Sequence, residues 1–170
     1  DGLAVLKAAK PSKKTNKAVK TGVGRLDEQG VLHFADPSLK STEVDTITIS
    51  LPGSNQTLNL SEVEVISGGK NIAREAKTSQ SSKYNDDYLV TLLTDGDHGN
   101  FAHSAQGDTN PWFKFEFKQG VKVEDVKIFN RKGYEARFQD GRVSFSKGDQ
   151  PVLTMGVSLN ATVTVEGMDS

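Results

Sequence analysis

Cysteine is absent from the 170-residue chain, so neither a disulfide nor a thiolate metal site can hold it together, and stability must come from a packed core. An excess of charge is also missing. Lys and Arg number 21 against 22 Asp and Glu, a formal net charge of −1, which gives no general attraction to nucleic acid or to an anionic membrane. No apolar run approaches the roughly eighteen residues of a membrane-spanning helix, and no signal peptide stands at the start, so membrane insertion is not expected. A first residue of Asp rather than Met points to a processed or excised fragment. Signatures of nucleophilic catalysis are lacking too: there is no Gly-x-Ser-x-Gly elbow, no thiol, and no Ser, His and Asp in an order that strands would bring together. Carboxylates are so frequent that a pair for glycoside hydrolysis could be picked from almost any stretch, and such a pair carries no weight. The expectation is a binding module and not an enzyme.

What the chain does contain is a succession of strand-sized patterns. Residues 1–23 stand apart, because Lys7, Lys10, Lys13, Lys14, Lys17 and Lys20 face a single acid, Asp1, and Pro11 breaks any helix begun at Leu3. This stretch reads as a basic linker or arm, either simply solvated or gripping an anionic polymer. From residue 24 to 170 the signals are those of a single β domain. Val31–Phe34 is a short strand, and Ile47, Ile49 and Leu51 alternate with polar neighbours. Leu58, Leu60, Val63 and Val65 resume the pattern after a turn at Pro52 to Asn55. Tyr88–Leu93 fits a helical turn or a strand. Phe113, Phe115 and Phe117 point to one face of a strand, with Lys114 and Glu116 on the other. A polar Lys118-Gln119-Gly120 turn then predicts a hairpin into Val121–Asn130, where Val126 and Ile128 share a face. Val143 and Phe145 alternate in Arg142–Ser146, and Val157–Val165 reads as two last strand-like segments parted near Asn160. Many short strands without a long amphipathic helix indicate an antiparallel sandwich.

The chemistry is concentrated between Leu93 and Phe117, where Asp95, Asp97, Asp108, His98 and His103 crowd a glycine-punctuated loop that opens into the aromatic strand. Asp95-Gly96-Asp97 suits a tight turn or a hard-oxygen cation site. His98 and His103 lack a third His or Cys at ligand spacing, so zinc is not expected. Trp112 reads as a buried anchor at the mouth of the strand, whereas Tyr84, Tyr88 and Tyr134 sit in loops where rings could stack on a ligand. Arg137 and Arg142 flank Asp140, which permits a simple ion pair or leaves Arg137 for a ligand. Three Asn-x-Ser/Thr sequons occur, at Asn55, Asn59 and Asn160.

The ordered segments GGKNIAREAKTSQSSKYN, LTDGD, FAHS, NPWFKFEF, VEDVKIFNRKG and ARFQDGRVSF, spanning roughly residues 59–150, resemble the discoidin-like or coagulation-factor C-type superfamily. The likeness is greatest to fucose-binding F-type lectins and to related cysteine-free bacterial modules appended to larger secreted proteins. It implies an all-β fold, an antiparallel jelly-roll β-sandwich of the galactose-binding-domain kind, with ligand loops at one end and no catalysis. It further implies a glycan ligand, a fucose- or galactose-type terminal sugar, held by His103, Arg131 and Arg137 with Tyr134 beside them. A structural calcium would rest on Asp95 and Asp97, with partners near Val165 and Glu166. The setting implied is extracellular or periplasmic, within a multidomain protein. The chain departs from the resemblance at Gly133, where an acid commonly stands two places after the first Arg. The alternative is a sandwich that serves protein interaction or spacing without a working sugar site.

Overall fold

The computed structural model describes residues 19–160, and within them the chain is built mainly from short strands. In chain order these are β1 (Lys20–Val23), β2 (Arg25–Leu26), β3 (Val31–Phe34), β4 (Val44–Ser50), β5 (Asn59–Ser67), β6 (Lys70–Asn71), β7 (Lys77–Gln80), β8 (Ala102–His103), β9 (Trp112–Val121), β10 (Asp125–Asn130), β11 (Arg142–Lys147) and β12 (Gln150–Gly156). One sheet has the order β1-β12-β11-β4-β9-β7. The other runs β2-β3-β10-β5-β6, with β8 paired to β5 beside that path. All pairings are antiparallel except β1 with β12. Among the described residues a short helix, α1 (Pro37–Ser41), is capped by the Asp36 carboxylate accepting from Ser38 N–H. No helix among the described residues is long and apolar enough to cross a membrane.

A single hydrophobic cluster lies between the sheets, giving the sandwich-like, all-β architecture that the alternating patterns predict. Ile47, Ile49, Phe113, Phe115, Val143 and Phe145 enter it from one sheet, and Leu32, Phe34, Leu60, Val63, Val65, Val126 and Ile128 from the other. Polar neighbours face outward, as a two-residue side-chain period requires.

Several expectations are corrected. Lys118, Gln119 and Gly120 continue β9 and make no turn. The hairpin is therefore absent: β9 belongs to the first sheet and β10 to the second. The link between them dips into the core at Val123, whose N–H donates to the Leu39 carbonyl at 3.1 Å. Burying Val123 carries the chain across the sandwich, which a tight turn could not do. Trp112 is only half-buried, because the alternation that sends Phe113 inward sends Trp112 outward, where the Lys114 ammonium lies 4.7 Å from the ring centroid. Lys20–Val23 belongs to a sheet and not to an arm, since it pairs along β12. Val90–Thr94 is a 3-10 turn. The expected strands over Val157–Val165 begin beyond β12, and residues 161–170 lie outside the described part, as do the other arm lysines.

Gly24 carries the chain from one sheet to the other. Its N–H donates to the Gly156 carbonyl at 2.9 Å, and a Cβ on it would stand 2.3 Å from Cε2 of the fully buried Phe34. Gly24→Ala is expected to destabilise the protein by about 1–3 kcal/mol, the usual result of forcing a methyl into a filled core. An unchanged urea-unfolding midpoint would show that this crossover is not packed as tightly as the distance implies.

Candidate functional site

Strand β5 holds the key local irregularity. Phe129 pairs with Glu62 and Asn130 with Leu60, so Ser61 is an extra, unpaired residue and β5 bulges there. The bulge shifts the phase of alternation. Leu58 and Leu60 before it and Val63 and Val65 after it all reach the core, while Asn59 and Glu62 fall on the opposite face. The 3-10 turn Val90–Thr94 packs against β5 and β8 pairs along its edge, and Asn59 and Glu62 are only 1% and 2% exposed. Two polar side chains are thereby buried outside the core, and each needs partners.

Asn59 finds them in Arg131 and Arg137. Its Oδ1 accepts from Nη1 of Arg131 at 3.0 Å and from Nη1 of Arg137 at 3.3 Å. The Arg131 guanidinium is also sandwiched, 3.8 Å from the Phe101 ring centroid on one side and 3.8 Å from that of Tyr134 on the other. Arg137 lies 4.6 Å from the Tyr134 ring. The loop that presents these groups is closed by its own bonds: Tyr134 N–H to the Arg131 carbonyl, Arg137 N–H to the Tyr134 carbonyl, and Gly133 N–H to the Glu135 carboxylate at 3.0 Å. Gly133 has φ of +88°, a conformation that favours glycine over an acidic residue.

His103 enters from β8, where it pairs with Asn59 of β5. Its Nδ1 lies 2.7 Å from the Ser104 carbonyl, an acceptor, so Nδ1 carries the hydrogen and donates. Burial lowers the His103 pKa below its ordinary value, and the nearby Arg137 and Arg131 charges lower it further, against the raising effect of the Ser104 bond. The imidazole is accordingly neutral at neutral pH, with Nε2 left as an acceptor. Tyr84 at 5.0 Å, Phe101 at 6.0 Å and Tyr88 at 6.2 Å between ring centroids surround it. Together Tyr84, Tyr88, Phe101, His103, Gln106, Arg131, Tyr134 and Arg137 line an open pocket of about 250 Å³. That is below the about 300–1,000 Å³ of sites for drug-sized ligands, and suits a single polar ring.

Glu62 faces the acidic loop. Its Oε2 accepts from Gly96 N–H at 2.8 Å; no N–H or hydroxyl of the described residues reaches its buried Oε1, and the contact with the Asp95 carboxylate is a hydrogen bond only while Glu62 holds its proton. Burial, reinforced by the Asp95 and Glu64 charges and opposed by the Gly96 bond, pushes its carboxyl pKa up to about 7. Asp95 moves the other way: burial opposes its charge, but Asp97 N–H and the Asn100 amide donate to it and hold its pKa low. Asp97 Oδ1 accepts from Gly99 N–H at 2.8 Å, closing a second turn. Asn100 Oδ1, like Glu62 Oε1, is buried and unpaired. Among the described residues no three His, Cys, Asp or Glu side chains are already grouped as a metal cage. The two orphaned oxygens beside Asp95 are nonetheless hard donors of the type that calcium takes.

Four residues singled out in the sequence, His103, Arg131, Arg137 and Tyr134, thus meet in one pocket, joined by Tyr84 and Tyr88. Arg137 makes no ion pair with Asp140, which instead accepts from the Gln139 amide. His98 is exposed but rests against Phe129, with ring centroids 4.3 Å apart, away from the pocket. Val165 and Glu166 fall outside the described residues, and the acid that the fold brings to Asp95 is Glu62. Sequence reasoning missed Glu62, Asn59, Phe101 and Gln106. Asn59 read only as a sequon, yet its burial denies it to a glycan; the signal that could have singled out Asn59 and Glu62 was a polar residue on each side of Ser61 within an apolar strand. Compared with models of known protein families, with curated proteins and with solved structures, the chain matches none.

The raised Glu62 pKa makes a signed prediction for the metal-free protein. The folded state holds this proton more tightly than the unfolded chain does, so the contribution is complete below the ordinary value of 4.5 and is lost as pH rises through about 7. In the presence of a chelator, stability is expected to fall across that window by up to about 3 kcal/mol, and Glu62→Gln to flatten the slope. Urea unfolding of both proteins at pH 4.5 and pH 8 measures it; equal slopes would remove Glu62 as the source.

Proposed function

We propose that this protein is a non-catalytic carbohydrate-binding module, a discoidin-like jelly roll of the F-type lectin kind, taking a terminal fucose- or galactose-type sugar as part of a larger secreted protein. The observation that carries the reading is the convergence of His103, Arg131, Arg137 and Tyr134 on one pocket. A sugar hydroxyl is both donor and acceptor, and the pocket offers both complements: Nε2 of His103 accepts, and the two guanidinium forks donate. Tyr84 and Tyr134, both exposed, supply aromatic surface for the apolar face of the ring, while Phe101 lies between Tyr88 and Arg131 and supports the donor fork. Arg131 is held from three sides, by Asn59, Phe101 and Tyr134, so little side-chain freedom remains to be lost on binding.

Calcium belongs to the same proposal, held by Asp95 and Asp97 with Glu62 and the side-chain Oδ1 of Asn100. Bound there, the ion supplies positive charge that satisfies the orphaned oxygens and orders the loop. Asn100 is followed directly by Phe101, so fixing the loop fixes the ring against which Arg131 stacks.

Affinity for a monosaccharide is expected in the range of roughly 0.1 mM to a few mM, with tighter attachment arising from multiple copies. A glycan array probed in calcium and again in chelator is expected to show fucosylated or galacto-configured glycans, weakened without calcium. Arg131→Ala, verified as folded by circular dichroism, is expected to lose at least about tenfold in affinity, the scale of one charge-assisted hydrogen bond, and His103→Ala, verified likewise, about threefold to tenfold, the scale of a neutral one. A blank array with folded protein would favour the protein-interaction reading.

A further inference from the structure

The two arginines of the pocket are bridged by an amide and not by a carboxylate. Arg131 and Arg137 meet on the neutral Oδ1 of Asn59, neither makes an ion pair among the described residues, and no Asp or Glu lines the pocket. Each guanidinium gives one hydrogen bond to Asn59, and the rest of its donors have no protein acceptor among the described residues. Asn59 is 1% exposed, and its own Nδ2 has no partner. Turning the amide over would aim that NH₂ at two cations, so the orientation with Oδ1 towards the arginines is the one the charges demand.

Two half-buried positive charges are therefore held side by side with no carboxylate of the described residues in contact with them; Glu135, the acid of the same loop, is exposed and turns its carboxylate to Gly133 N–H. Aromatic faces stabilise Arg131 by cation–π contact, but they leave its charge and its hydrogen-bonding edge in place. His103 adds no negative charge, and Lys132 adds a further exposed cation in the same loop. We infer that the sugar taken by this pocket carries an anionic group, a carboxylate or a sulfate ester, whose oxygens lie across the Arg131–Arg137 pair while the ring rests among Tyr84, Tyr134 and His103. Planar guanidinium forks match the paired oxygens of either group, and charge-assisted bonds of this type are about twice as strong as neutral ones. The inference rests on the sugar-binding reading of the pocket, and it narrows that reading from neutral to acidic glycans.

Isothermal titration in constant calcium distinguishes the cases. The probes are methyl α-galactoside and methyl α-fucoside as neutral sugars, methyl α-galacturonide and methyl α-galactoside 6-sulfate as acidic ones, and sodium acetate and sodium sulfate as bare anions. One or both acidic sugars are expected to bind at least about tenfold more tightly than the neutral sugars, and to weaken as sodium chloride is raised. Which of the two binds identifies the group. Asn59→Asp, which places a carboxylate between the arginines in nearly the same volume, is expected to narrow or abolish the preference for acidic sugar. Neutral sugars binding as tightly as acidic ones would overturn the inference while leaving the sugar site standing. Bare sulfate or acetate binding as well as the matching acidic sugar would overturn it in favour of a plain anion site. No binding of any sugar would remove the sugar site and the inference together. The salt dependence is read on the unaltered protein, so the outcome does not depend on Asn59→Asp folding.

Discussion

The bulge at Ser61 in β5 fixes the relation between the core and everything chemical in this protein. A regular strand would have kept Leu60 and Val63 on opposite faces, and one of them would have been lost from the core. With one extra residue both are buried, and Asn59 and Glu62 are placed together beneath the loop that runs from Tyr84 to Gln106. The pocket and the acidic cluster are thus two consequences of one change in register.

Those consequences are resolved differently. Asn59 is a neutral group, and two guanidinium N–H donors satisfy its oxygen at the cost of an unpaired NH₂. Glu62 is ionisable, and a buried carboxyl beside Asp95 can lower its energy by keeping its proton or by facing a cation. The two solutions are joined through the backbone, because Asn100 donates to Asp95 and the adjacent Phe101 lies under Arg131. Whatever steadies the acidic loop therefore also steadies the donor fork in the pocket.

The outer loops make the rest of the recognition surface with few residues. Gly133 permits the sharp turn that returns Tyr134 over Arg131, and the same ring reaches Arg137. One aromatic side chain thereby packs against both cations. On the other wall, Tyr88 stacks on Phe101 at 4.9 Å, with an interplanar angle of 14°, backing the ring that supports Arg131 from below. These contacts hold long, flexible side chains in place before any ligand arrives, which reduces the entropy lost on binding.

Alternation is a local property, and by itself the sequence determined most of the strands: Ile47 with Ile49, Phe113 with Phe115 and Phe117, Val126 with Ile128, and Val143 with Phe145 could be assigned to buried faces from spacing alone. The candidate pocket residues His103, Arg131, Tyr134 and Arg137 were legible because charged and aromatic side chains stood out in glycine-rich loops. Tertiary structure alone decided which sheet each strand joined, so the expected hairpin after Phe117 became a crossing through the buried Val123. It also decided the parts played by Asn59 and Glu62, which in the sequence are a sequon and an ordinary outward-facing acid. Polar residues around Ser61 hint that alternation breaks there, but they do not say which residue is the extra one, and that choice reverses which face a side chain occupies. Only the pairing of β5 with β10, residues far apart in the chain, fixes where that reversal falls.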